Sequence, residues 1–149
     1  MKSLAKGSAL AVVIALMIVA VVSSRSSAAS PPSTGQCSNH TLNGDYGVSG
    51  SGHLGATEVL LVGVVSFDGR GGLQLRDTVK IVGVPGGIPR NITGTYAVSR
   101  DCRATATFFA PAPFNVQVDL AAVLVDNGRE IKFIQINPDG FFEGTAKTQ

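Results

Sequence analysis

From residue 41 to residue 147 the chain alternates apolar and polar residues with a period of two. Glycine, aspartate, asparagine and proline interrupt the alternation at short intervals, and it is clearest over residues 73–81 and 114–124. Because successive side chains of a β-strand point to opposite faces, this pattern is typical of strands with one buried face. No stretch of this region shows an apolar period of about 3.6 residues bounded by helix caps. We therefore predict an all-β domain.

Turn-forming residues divide this region into eight predicted strands. Asp68–Gly72 and Asp126–Gly128 are rich in residues that tolerate positive φ, and both predict tight turns. Residues 84–89 predict a longer loop. The predicted strands span 42–50, 57–67, 73–81, 92–98, 102–109, 114–124, 130–136 and 141–147.

Eight short strands joined by short turns fit few architectures. An open meander leaves unpaired backbone groups on its edge strands, and closure into a barrel removes those edges. We therefore predict an eight-stranded antiparallel up-and-down β-barrel, with a β-sandwich as the alternative. Glycines in phase with the apolar residues, Gly44, Gly63 and Gly94, fit sharp strand curvature. A barrel of this size is either filled by side chains or holds one small ligand.

The N-terminus has the three parts of a secretory signal peptide. Lys2 and Lys6 precede the apolar run 9–22, and small residues follow over 23–30. The run is shorter than the roughly 20 residues that span a bilayer as a helix. We predict a helical signal peptide over residues 1–29.

The signal peptide assignment also predicts how the rest of the chain is divided. Cleavage after Ala28 or Ala29 would leave an exposed lead-in, residues 30–40, and a single barrel domain, residues 41–149. The expected location is secreted or periplasmic, and we expect no membrane attachment after cleavage. An uncleaved N-terminal anchor is the alternative.

Charge excludes one class of partner. The full chain has twelve Lys and Arg residues against ten Asp and Glu. Removing Lys2, Lys6 and Arg25 with the signal leaves nine basic residues against the same ten acidic ones, a net charge of −1. A nucleic-acid-binding surface needs clustered Lys and Arg, so no nucleic-acid partner is expected.

The chain contains two cysteines, Cys37 and Cys102. An even pair in an exported chain predicts a disulfide. Zinc usually takes four ligands at short spacing, and only the distant His40 and His53 could add to the pair. A catalytic thiol would have to stay reduced outside the cytoplasm. We expect a disulfide, with no metal site and no cofactor.

Three residues are candidates for contact with a ligand in the barrel. Asp77 is the carboxylate in the apolar phase of a predicted strand, where burial is costly unless the group is paired. It could serve as a general acid or base, or lie near the barrel mouth, satisfied by water or Arg. Tyr46 and Tyr96 occupy equivalent positions in two similar segments and could point their hydroxyls into a cavity. Alternatively, both are core tyrosines with one satisfied hydroxyl.

Five short motifs of turn residues and glycines are spread over residues 41–147. They are Leu42-Asn-Gly-Asp-Tyr46, Phe67-Asp-Gly-Arg-Gly71, Gly94-Thr-Tyr96, Glu130-Ile-Lys-Phe133 and Gly144-Thr-Ala146. Together they resemble small exported bacterial barrels of unassigned function, which are similar to the allene oxide cyclase barrel that dirigent proteins share. The resemblance implies the barrel shape and assigns no catalytic residue to this chain.

Two classes of function fit these features best. The first is a non-catalytic binding protein, with a small apolar ligand in the barrel or a protein partner on its wall or loops. The second is a cofactor-free isomerase or cyclase acting in the barrel cavity. A third alternative is an exported protease inhibitor, although no characteristic inhibitory loop is visible. We expect binding without catalysis, and the oligomeric state is left open.

Overall fold

The computed structural model describes residues 36–149, so the predicted signal peptide over residues 1–29 lies outside the described part of the chain. The described residues form eight strands and two single turns of 3₁₀ helix, Asn39–Thr41 and Asp126–Gly128. The strands are β1 (Asn43–Leu54), β2 (Thr57–Asp68), β3 (Gly72–Ile81), β4 (Ile88–Val98), β5 (Arg103–Ala110), β6 (Val116–Val125), β7 (Glu130–Asn137) and β8 (Phe141–Thr148). Within residues 36–149, no helix is long and apolar enough to cross a membrane.

The strands form a closed antiparallel barrel in sequence order. Each strand pairs with its neighbour in the chain, and β8 closes on β1 from Tyr46 opposite Thr148 to His53 opposite Phe141. The predicted up-and-down barrel is therefore confirmed, and the β-sandwich alternative is wrong. Closure gives the first and last strands partners on both sides, which an open sheet would not.

The observed strands differ most from the predicted ones at two places: β1 continues past residue 50 to Leu54, and β4 starts before residue 92. Residues 84–89 were expected to be a loop, but β4 begins at Ile88 and Pro89 lies opposite Thr78 of β3. The β4–β5 pairing starts only at Gly94. Pro89 therefore has a strand neighbour on one side alone, which is where a residue without an N–H is tolerated in a sheet.

The barrel core consists of the inward-facing residues of all eight strands. Inward Leu75, Val79 and Val118 are buried, while outward Gln74 and Gln117 are exposed, so the predicted phases of β3 and β6 are confirmed. Core side chains form two groups, a larger one that includes Leu42 and Tyr96 and a smaller one. The smaller group is Val59, Val79 and Phe142.

Inward glycines allow neighbouring strands to approach closely. A Cβ on Gly63 would lie 2.3 Å from the carbonyl oxygen of Arg76, and one on Gly94 would lie 2.5 Å from that of Thr107. These two positions fit the predicted role in curvature. Gly44 is different, because open space surrounds it and its φ of 97° is the feature that favours glycine.

The two ends of the barrel differ in how they are covered. One end, here called the disulfide end, carries Asn39–Thr41 and the turns 69–71, 99–102 and 126–129. The other, here called the loop end, carries the connections 55–56, 82–87, 111–115 and 138–140.

The segment before β1 is fixed across the disulfide end. Cys37 is joined to Cys102 by a disulfide, which bears out the predicted pairing of the two cysteines. The Asn39 side chain accepts a hydrogen bond from the Val98 N–H at 2.8 Å and donates to the Arg70 carbonyl oxygen at 3.1 Å. Residues 37 and 39, which fall in the predicted lead-in, are consequently half-buried.

Candidate functional site

The barrel interior contains an apolar cavity of about 120 Å³. Leucine, valine, alanine, isoleucine and phenylalanine side chains form nearly all of its wall. The lining residues with polar side chains are Arg90, Tyr96, Thr105 and Gln135. A cavity with such a wall favours an apolar occupant over water, because water in it would find few hydrogen-bond partners.

The cavity volume limits the size of an occupant. An engineered apolar cavity of roughly 150 Å³ stays dry and takes up benzene. Pockets for drug-sized ligands are larger, about 300–1,000 Å³. The space inside this barrel therefore suits a molecule the size of one small ring or a short branched chain.

Tyr96 lines the cavity, but its hydroxyl is engaged at the disulfide end. Its Oη lies 3.0 Å from the carbonyl oxygens of Asn39 and Leu42, to either of which it can donate. Burial raises the pKa of Tyr96, and the nearby Asp68 carboxylate adds to the effect. This hydroxyl therefore fixes the segment before β1 over the barrel.

Tyr46 has an equivalent role beside it. Its hydroxyl donates to the Gly128 carbonyl oxygen at 2.8 Å, and burial raises the pKa of Tyr46. The Phe67 ring lies between the two tyrosine rings, with edge-to-face contacts at 5.3 Å to Tyr46 and 4.9 Å to Tyr96. Tyr46 is not among the residues that line the cavity. Tyr46 and Tyr96 therefore agree with the second expectation, that they are core residues whose hydroxyls are satisfied by hydrogen bonds.

Asp77 lies towards the loop end, on the inward phase of β3, and is 5% exposed. Arg90 of β4 is directly opposite it in register. The guanidinium holds the carboxylate with two hydrogen bonds, from Nε to Oδ1 at 2.9 Å and from Nη2 to Oδ2. Arg90 thus compensates the buried charge of Asp77. This agrees with the expectation that Asp77 is satisfied by an Arg side chain, and not with a free general acid or base. Asp77 itself does not line the cavity, whereas Arg90 does.

Arg90 is the residue that the sequence did not single out. Its guanidinium carbon lies 5.7 Å from the centre of the Phe114 ring, within cation–π range. It was missed because the predicted fourth strand began at residue 92. The signal was present in the pattern Ile88-Pro-Arg-Asn-Ile92, which places Arg90 in the same phase as the buried Ile92.

The wall beside Arg90 is incomplete. The β4–β5 ladder covers Gly94–Val98 of β4, so residues 88–93 pair with β3 and with no strand on the β5 side. Phe114, from the connection between β5 and β6, contacts the core from this region and lines the cavity. The charged residue of the cavity wall thus lies where β4 has no strand partner on the β5 side.

The glycine-rich turn between β2 and β3 has a structural role. The glycine-rich turn after β2 is closed by Asp68, whose Oδ1 accepts hydrogen bonds from the backbone N–H groups of Arg70, Gly71 and Gly72 at 2.7–2.9 Å. The first and last of these bonds lower the pKa of Asp68 most. These three N–H groups are thus used within the turn, which agrees with the tight turn predicted here. Within residues 36–149 no three His, Cys, Asp or Glu side chains form a cluster that could hold a metal.

Among solved structures, the chain is similar to a redesigned β-barrel. The TM-score is 0.52 and the identity 20%, over 74% of this chain and 94% of that chain. Similarity at this level of identity shows the fold alone. Neither a protein-family model nor a curated protein matches the sequence.

Proposed function

We propose that this protein is an exported β-barrel that binds a small apolar molecule inside the barrel without transforming it. The observation that carries the proposal is the cavity of about 120 Å³ with an almost wholly apolar wall. A barrel of eight strands has room for one small ligand or for side chains that fill it. The interior here is not completely filled by its side chains.

An empty cavity is costly to a small domain. A void left in a core costs about 24 cal/mol per Å³, so the cavity of about 120 Å³ corresponds to roughly 3 kcal/mol of the free energy of unfolding. Whole domains are stable by only about 5–15 kcal/mol. A bound apolar molecule would recover the lost dispersion contacts. Ligand binding would therefore offset part of the free energy that the empty cavity costs.

A cyclase or isomerase, which the resemblance to allene oxide cyclase barrels suggests, has less support. Such chemistry needs a group free to donate or accept a proton at the substrate. Both oxygens of Asp77 accept hydrogen bonds from Arg90, and the hydroxyls of Tyr46 and Tyr96 lie against backbone carbonyls. The candidate groups are thus committed to structural partners.

Export is supported by two features that do not depend on the cavity. Residues 1–30 have the order of a secretory signal. The Cys37–Cys102 disulfide is typical of proteins in an oxidising compartment.

Toluene binding to the purified protein tests the proposal. We expect saturable shifts in the ¹³C-methyl NMR spectrum, confined to cavity-lining residues, and a rise in Tm with toluene concentration. Ala122→Leu, which adds side-chain atoms inside the cavity, should weaken binding at least tenfold. Ala121→Leu, the same change on the outer wall next to it, should leave binding unchanged.

The absence of saturable toluene binding would overturn the proposal. Equal binding by the two leucine variants would place toluene outside the cavity and overturn it as well.

A further inference from the structure

We infer that the barrel selects neutral ligands that carry a single hydrogen-bond acceptor oxygen, such as a ketone, ester or lactone, over hydrocarbons and carboxylates. This inference rests on the proposed function and names the ligand class of the same cavity. It depends on the hydrogen bonds and the charge of Arg90.

Arg90 has donors left after it has satisfied Asp77. Nε and Nη2 hold the two carboxylate oxygens. Among the described residues Nη1 takes part in no hydrogen bond, and no fully buried side-chain nitrogen or oxygen lacks a partner, so Nη1 retains some exposed surface. Nη1 is therefore accessible to a small molecule. Because the Arg90 side chain is only 7% exposed and lines the cavity, we place Nη1 within reach of an acceptor inside the barrel.

The other polar groups of the wall offer less. The Tyr96 hydroxyl lies against two backbone carbonyls. The Gln135 amide nitrogen donates to the Pro138 carbonyl oxygen at 2.8 Å. Thr105 is exposed and lies in the outward phase of β5. Arg90 is thus the strongest available donor for a ligand oxygen among the described residues of the wall.

The charge of the pair decides which acceptor suits the site. Asp77 neutralises Arg90, so the two side chains together add no net charge to the interior. A carboxylate ligand would bring an uncompensated negative charge into an apolar space, at a large desolvation cost. A neutral carbonyl accepts the same hydrogen bond without that cost. A hydrocarbon gains no such bond and leaves Nη1 without a partner.

Two neutral probes of one size and a somewhat larger charged probe separate these cases. Methylenecyclohexane and cyclohexanone have the same shape, and the carbonyl oxygen replaces a methylene group. Cyclohexanecarboxylate carries the negative charge. Binding of each is measured by NMR titration with wild type and with the double variant Asp77→Leu/Arg90→Met, which removes both charges together.

The decisive quantity is the ratio of the methylenecyclohexane Kd to the cyclohexanone Kd. Comparing the ratio between two proteins cancels the different aqueous solvation of the two probes. A hydrogen bond to a charged donor corresponds to about a tenfold preference, so the ratio should fall about tenfold in the double variant. In the wild type, cyclohexanone should also shift the Arg90 guanidinium ¹⁵N resonances, whereas methylenecyclohexane should not. Cyclohexanecarboxylate should bind at least tenfold more weakly than cyclohexanone.

The outcomes distinguish this inference from the proposed function. If neither neutral probe binds, the proposed function fails. If both bind but the ratio is the same in the two proteins, the preference for an acceptor is wrong and the apolar site stands. Carboxylate binding as tight as that of cyclohexanone would overturn the preference for a neutral ligand. If the double variant does not fold, an unchanged wild-type Arg90 ¹⁵N spectrum with bound cyclohexanone would overturn the inference, and a shift would support it.

Discussion

Asp77 and Arg90 face each other across the β3–β4 ladder and form a two-point ion pair whose side chains are 0% and 7% exposed. Removing one partner from a buried pair leaves the other charge without compensation. This is more harmful than removing both, because a matched apolar pair needs no compensation.

We expect Arg90→Met to lower the free energy of unfolding by about 3–5 kcal/mol, and Asp77→Leu/Arg90→Met to lower it much less. Urea denaturation measures both. Arg103→Met is the matched control, because its pair with Asp101 is largely exposed and such pairs contribute about 0–1 kcal/mol. A double variant as unstable as the single one would show that the pair has no such coupling.

The disulfide should account for a sizeable part of the stability. It joins residues 65 positions apart and fixes the segment before β1. Cys37→Ala/Cys102→Ala should cost roughly 2–5 kcal/mol, the usual range for a small secreted domain. Thermal or urea unfolding measures the loss, and thiol labelling of the unfolded, unreduced protein should find no reactive cysteine. Full labelling of both residues would contradict the crosslink.

The two faces of β3 should respond differently to truncation. Leu75→Ala removes inward methyl groups from a buried position and should cost about 2–5 kcal/mol. Gln74→Ala, on the adjacent outward position, should stay within about 0.5 kcal/mol. Urea melts compare the two. Equal losses would mean that both faces of the strand are buried.

The two tyrosines should make the protein sensitive to alkali. Burial raises the pKa of both Tyr46 and Tyr96 above the ordinary value of 10.0. Their contribution to stability is therefore complete below pH 10, and it is lost as the pH rises through the pKa values of the folded state, because the unfolded chain gives up these protons first.

Urea melts of wild type and of Tyr46→Phe/Tyr96→Phe across pH 7 to 11 test this dependence. At pH 7 the double variant should lose about 1–3 kcal/mol for each carbonyl left without its donor. Above pH 10 its stability should fall less steeply than that of the wild type. If the two proteins lost stability equally steeply above pH 10, groups other than these tyrosines would control stability at high pH.

The proposed export leads to a prediction about the mature chain. The order of residues 1–30 predicts cleavage after Ala28 or Ala29. The intact mass of the protein recovered from the secreted or periplasmic fraction should correspond to a chain that starts at Ala29 or Ser30. Recovery of the full chain from Met1 in the membrane fraction would contradict it.

The strands and their phases could be predicted because alternation is a local property. Leu75 and Gln74 differ in burial for a reason that is visible within a few residues. The pairing of Asp77 with Arg90 could not be predicted in the same way, because it depends on the β3–β4 register across an intervening loop. The partners of the tyrosine hydroxyls likewise appear only once the disulfide end has assembled.

The presence of the cavity could not be predicted from the sequence either. An alternating pattern shows which side chains point inward, but not whether their volumes fill the space that eight strands enclose. The inward position of Arg90 was not predicted either, because the neighbouring Pro89 favours a loop over a strand. Its strand position is possible because β5 does not reach that part of β4.

The pairing of β8 with β1 affects when the protein can fold. Tyr46 cannot pair with Thr148 until residues 141–148 have been synthesised. The barrel therefore cannot close until nearly all of its strands exist. Contacts between residues far apart in sequence also make folding slow. If the chain is exported as proposed, this delay would help it to remain unfolded while it crosses a membrane. The same delay leaves β1 and the newest strand with unpaired edges, so crowded nascent chains are at greatest risk of aggregation just before closure.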